Sequence, residues 1–110
     1  MNFFIDSYNI CRVCRINLNY TEQIIADYLE EDIMGSDYTV NLLIDCILKI
    51  QKNEIEKWQG TGNAHTISIF KDKIHIFNEF TEMEIVINDI EYFLSILYKW
   101  RELVLSRKDI

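Results

Sequence analysis

The sequence predicts an α+β fold, an antiparallel sheet of about five strands packed against about three helices as a single-layer sandwich, with residues 1–110 forming one domain. Three observations lead there. Apolar residues alternate through HTISIF, KIHIFNEF and MEIVI, short runs joined by short turns, as neighbouring antiparallel strands require. They recur at helical spacing in Val40, Leu43, Ile44, Ile47 and Leu48, and again in Phe93, Leu97, Trp100 and Val104. The order strand, strand, helix, helix, three strands, helix leaves the helices to cover one face of the sheet. With 110 residues, 49% of them hydrophobic, the chain can bury a single core without staples.

Each element has a local cause. Phe3 to Ile5 and Ile10 to Leu18 read as strands, the second with a phase slip near Cys14 that suggests a bulge and leaves Arg12, Arg15 and Asn17 to solvent. Thr21 is positioned to cap a helix reaching about Asp32, with Ile24, Ile25, Tyr28 and Leu29 on one face. Gly35 ends that segment, and Ser36 caps a second helix running to about Asn53. Trp58 to Asn63, WQGTGN, reads as a loop, with Gly60 and Gly62 forming a tight turn into the hairpin around Lys71-Asp72-Lys73. Met83 to Ile87 extends the sheet. Asn88 opens the last helix, Glu91 completing a capping box, and Lys99, Arg101, Arg107 and Lys108 gather toward its C-terminus, where the dipole favours cations. Trp58 and Trp100 are assigned to the core or to loop anchoring.

The net charge of −7 is unevenly distributed. Seven acids lie between Ile16 and Leu48 and five between Ile76 and Tyr98, with no lysine or arginine in either stretch. Such a field repels nucleic acid and anionic membranes and attracts a cationic partner. The N-terminal MNFFIDSYNICRVCR lacks the basic start and apolar run of a signal peptide, and no window approaches a membrane span. The expectation is a soluble cytoplasmic protein with reduced cysteines.

Known chemistries fit poorly. Cys11-Arg-Val-Cys14 has redox spacing but falls on a strand, where residues three apart face opposite ways, and no second pair completes a zinc site. His65 and His75 flank the hairpin turn without a serine, cysteine or carboxylate spaced to complete a triad. A small enzyme using His65 and His75 with a carboxylate is the alternative class, and a housekeeping binding module is another. The richest acidic run, ADYLEEDIMGSD from Ala26 to Asp37, has Gly35 misplaced for a calcium loop and Ile33 and Met34 where oxygen ligands belong. On a helix, Glu30, Glu31 and Asp32 fan too widely to enter one pocket. The glycines of Gly60-Thr-Gly62 precede a strand and lack the lysine of a phosphate loop. No catalytic residue, metal or cofactor is expected, and the acidic run is left as a solvated helix end or a recognition surface.

Trp58-Gln-Gly-Thr-Gly-Asn-Ala-His-Thr-Ile-Ser-Ile69, then Ile74-His-Ile-Phe-Asn-Glu-Phe80, then Ile96-Leu-Tyr-Lys-Trp100-Arg, together with Tyr28-Leu-Glu-Glu-Asp-Ile33, resembles small bacterial immunity proteins encoded with contact-dependent growth inhibition toxins. The resemblance spans most of residues 20 to 103. It implies a non-enzymatic cytoplasmic protein that binds and neutralises a cognate toxin domain, commonly a nuclease with a basic working face. The residues expected to meet the toxin are Asp27, Tyr28, Glu30, Glu31, Asp32 and Asp37, with Tyr28 as an aromatic anchor if partly exposed. Glu79, Glu82 and Glu84 form a second candidate face.

Overall fold

The structure, a computed structural model, describes residues 1–107, so Lys108 of the expected basic helix end lies outside the described residues. The fold is α+β. Strands β1 (Phe3–Ile5) and β2 (Cys11–Val13) form a small antiparallel hairpin, and β3 (Trp58–Thr61), β4 (His65–Ile69), β5 (Ile74–Asn78) and β6 (Glu84–Ile87) form a four-stranded antiparallel meander in sequence order. The helices are α1 (Tyr20–Tyr28), α2 (Asp37–Gln51) and α3 (Ile90–Arg107). None of them is long and apolar enough to cross a membrane.

Strand alternation decides which residues reach the core. His65, Ile67 and Ile69 of β4 point inward with Ile74, Ile76, Ile85 and Ile87, against the buried stripes of the helices. The opposite face carries two cross-strand rows, Thr61-Thr66-Phe77-Glu84 and Gln59-Ser68-His75-Val86. Trp100, fully buried, anchors the other layer: its ring meets Phe3 edge-on at 5.2 Å, and its indole N–H donates to the Met34 carbonyl at 2.9 Å.

Several boundaries differ from the sequence expectation, each for a visible reason. The strand begun at Ile10 stops at Val13, and Asn17 turns through a φ of 59°. Helix α1 is capped by Asn19, whose side chain accepts from Glu22 N–H while the Glu22 carboxylate accepts from Asn19 N–H. That box begins two residues before Thr21. The last helix is capped by Asp89, which accepts from Tyr92 N–H, so Glu91 completes no box with Asn88. Residues Trp58–Thr61, expected as loop, form the edge strand β3.

Beyond Tyr28 the helix widens into a π-helical turn, Leu29–Ile33, closed by Met34 N–H donating to the Leu29 carbonyl. Met34, with a φ of 56°, rather than Gly35, turns the chain out. Within this turn Glu30 faces Arg15 while Glu31 and Asp32 face His65, and this shapes the site below.

Candidate functional site

The acidic run divides into carboxylates committed to the protein and carboxylates left to solvent. Arg15 donates to Asp27 at 2.8 Å and to Glu30 at 2.7 Å, and Glu30 also accepts from Val13 N–H at 2.9 Å. These bonds hold the Arg15 guanidinium more firmly charged despite its partial burial. The cation missing from the run itself is thus supplied by the segment that the sequence had assigned to strand.

Asp32 turns the other way. Its side chain, 3% exposed, accepts from His65 N–H and His65 Nδ1, both at 2.9 Å, and from Ala64 N–H at 3.3 Å. His65 is buried, with Nε2 3.4 Å from the Asn78 amide and its ring edge-on to Tyr28 at 5.7 Å. Asn78 continues the chain of contacts, its side-chain Oδ1 accepting from Phe80 and Thr81 N–H in the β5–β6 connection. Tyr28 is 4% exposed, so the condition for its anchoring a partner by exposure is not met, and burial, followed by the Asp32 carboxylate, raises its phenol.

Glu31 is the acid of this turn that stays half exposed. Burial, then the neighbouring Asp27, raises its carboxyl above the ordinary range. Its Oε2 lies 3.9 Å from His65 Nδ1, and Glu31, Asp32 and His65 place ligand atoms within 4.8 Å of one another. These are the residues that could hold a metal ion, but Nδ1 and both Asp32 oxygens already bond to protein groups, and a cation would have to displace them. Asp37, in the first turn of α2, is part-buried.

The second acidic tract lies on the β5–β6 hairpin. From Ile74 to Ile87 it carries Glu79, Glu82 and Glu84 with no lysine or arginine. Glu84 pairs with His75 at 2.8 Å, and Glu79 accepts from the Thr66 hydroxyl. Among these acids stand Phe80, 78% exposed, with Met83 and Val86 also in solvent. His65 and His75 do not meet, since they occupy opposite faces of the sheet, each beside its own carboxylate.

The fold brings the two tracts to one end of the molecule. Asn63 donates to the Glu31 carbonyl at 2.9 Å, and Glu79 N–H donates to the Ala64 carbonyl at 2.8 Å, so the β3–β4 connection is flanked by both. Among the described residues, five non-glycine residues have left-handed φ, and three of them are asparagines, which tolerate it. The other two, Met34 and Glu82 at 56° and 61°, have long exposed side chains at this same acidic end. Both sit where the chain reverses, Met34 at the exit of the π-helical turn and Glu82 in the β5–β6 connection. Asn63, Asn78, Met34 and Phe80 were not among the sequence candidates. The one local signal was an asparagine at each connection, Asn63 within the β3–β4 link and Asn78 immediately before the β5–β6 turn.

Gly60 and Gly62 have no left-handed φ; what they supply is room. A Cβ on Gly60 would stand 2.4 Å from the half-buried Trp58 ring, and one on Gly62 2.5 Å from Asp32 Oδ2. The thiols of Cys11, Cys14 and Cys46 are free, and burial raises those of Cys11 and Cys46, away from the thiolate that redox or metal chemistry needs.

A model of one protein family, described as an uncharacterised protein family (UPF0231), matches residues 1–98. No curated protein and no solved structure matches the chain.

Proposed function

The chain belongs to the uncharacterised UPF0231 family, and from its own surface we propose that it is a non-catalytic cytoplasmic binding protein that uses its acidic end to recognise a basic protein partner. In the specific form implied by the immunity-protein resemblance, that partner is a cognate toxin domain, a nuclease whose phosphate-binding face the acidic end covers.

The observation that carries this is the β5–β6 hairpin. Exposed Phe80, Met83 and Val86 stand among Glu79, Glu82 and Glu84 with no cation in the hairpin. Exposed apolar side chains interspersed with one sign of charge match how interfaces divide their work: the apolar groups are desolvated on binding, and the charges steer and select the partner. The half-exposed Glu31 and exposed Met34 extend the surface across the β3–β4 connection. Of the residues first expected to meet the toxin, Asp27, Glu30 and Asp32 are held by the protein itself, and the weight moves to the hairpin.

Co-expression with the toxin domain encoded beside its gene tests the immunity form: growth is restored and the two proteins co-purify, while no protection and no complex overturns it. Within such a complex, Glu79→Lys with Glu82→Lys slows association most at low salt. Stopped-flow measurement of the association rate against ionic strength reads this, and a salt-independent rate equal to that of the unmodified protein removes the acidic end from the interface.

A further inference from the structure

Beside the acidic end, a crevice of about 190 Å³ opens between α2 and the edge strand β3. An apolar cavity of about 150 Å³ is enough to hold a benzene ring, so this one has the size of a single large side chain. Leu42, Leu43 and Ile67 form its apolar wall, Trp58 and Tyr28 its aromatic surfaces, and Asp32 supplies a carboxylate, with no lysine or arginine among its lining residues.

The Tyr28 hydroxyl makes no hydrogen bond among the described residues, although the residue is only 4% exposed. Every fully buried side-chain polar atom there does have a partner. The Tyr28 hydroxyl is therefore reached from outside the packed core, and Tyr28 lines this crevice. The missing Cβ of Gly60 lets the Trp58 ring lie over the strand, and the missing Cβ of Gly62 keeps the Asp32 side of the crevice clear. A wider groove of about 450 Å³ between β1 and α3 holds both Lys99 and Glu102, and selects neither sign of charge.

We propose that this crevice is a receptor for one arginine side chain of the basic partner, its guanidinium lying against Trp58 and donating to the Tyr28 hydroxyl in the field of Asp32. A planar, weakly hydrated cation suits an aromatic face, an unused acceptor and a carboxylate more closely than an ammonium does. The residues also explain themselves in these terms: a buried tyrosine whose hydroxyl bonds to no protein group serves packing no better than phenylalanine. The inference rests on the proposed basic partner, but its chemistry can be tested without one.

The probe is N-acetyl-arginine amide, titrated into the full-length protein while the amide signals of Gly60 and Gly62 and the indole N–H of Trp58 are followed by NMR. Saturable shifts at these three sites are expected, with the neutral isostere N-acetyl-citrulline amide binding at least roughly tenfold more weakly. Tyr28→Phe removes only the unpartnered hydroxyl; it leaves the melting temperature unchanged and weakens the arginine probe by roughly fivefold, the loss of one hydrogen bond. Trp58→Ala abolishes saturation. No saturable shift in the unmodified protein, or equal binding of the citrulline probe, overturns the arginine receptor and leaves the acidic-end interface untouched. Arginine binding without toxin neutralisation supports the crevice and overturns the immunity form.

Discussion

The acidic tracts at residues 27–37 and 79–84 look alike as sequence and behave oppositely as structure. In the first, Asp27 and Glu30 are tied to Arg15, and Asp32 is buried against Ala64 and His65. In the second, Glu82 and Glu84 stay in solvent around exposed apolar side chains. The difference lies in what the surrounding chain offers: backbone donors and an arginine converge on the first, while in the second Glu79 meets only the Thr66 hydroxyl and Glu84 only His75, with no lysine or arginine among the described residues bonded to either. A run of like charge therefore does not mark an interface. The proposed interface is read instead from charge left in solvent beside apolar surface left uncovered.

The sharpest way to break the contrast is Asp32→Ala. It deprives two backbone N–H groups and His65 Nδ1 of their acceptor in a site 3% exposed. Loss of one buried partner of this kind costs about 3–5 kcal/mol. Urea unfolding measures it, and a loss below about 1 kcal/mol would mean that the first tract is no more structural than the second.

Arg15→Ala should have a smaller effect of about 1–2 kcal/mol, because Arg15 is 42% exposed while Glu30, at 13%, is left with only the Val13 N–H. A double-mutant cycle with Glu30→Gln isolates the pair, and zero coupling would mean that the Val13 N–H alone holds Glu30.

These two substitutions also show where sequence was informative. Periodicity recovered both principal helical stripes and the β4–β5–β6 meander, since a two- or 3.6-residue repeat reports burial directly. It failed at Trp58–Thr61, where glycines that read as turn signals instead make room for Trp58 and Asp32. It also failed at Leu29–Ile33, because a single extra residue in one helical turn leaves no periodic trace. The partners of the acidic run lie 12 to 33 residues away, on Arg15 and His65, and no local pattern encodes such distances. Tyr28 illustrates the limit. Its helical position predicted a buried face, and only the packing around it shows that its hydroxyl bonds to no protein group.

Glu82→Asn probes the second tract with an effect of the opposite sign. Asparagine accepts a left-handed backbone more readily than glutamate does, so the exchange should stabilise the protein by about 0.5–1 kcal/mol in thermal or urea unfolding. If the hairpin is the interface, the same substitution weakens the complex while strengthening the free protein. Stabilisation with unchanged binding would leave the strain at Glu82 without a functional cause.

Glu31→Gln asks which tract the half-exposed Glu31 belongs to, and it gives the smallest effect. Burial and then Asp27 raise its carboxyl in the folded protein, so the native state favours the protonated form. A raised carboxyl contributes stability below its unfolded value near pH ~4.3 and loses it as pH rises through the folded value. At pH 7 the ionised Glu31 is therefore mildly unfavourable, and the neutral amide should stabilise the fold by only a few tenths of a kcal/mol, because half-exposure screens the charge. The advantage should vanish below about pH 4, where glutamate is itself neutral, and stability curves of the two proteins against pH read the difference. A glutamine variant less stable at pH 7 would show that attraction to His65 outweighs burial, and Glu31 would then join Asp32 as structure. The expected sign sets it beside Glu82, whose replacement is stabilising for a backbone reason: Glu31 is a charge the fold does better without, held where a basic partner would meet it.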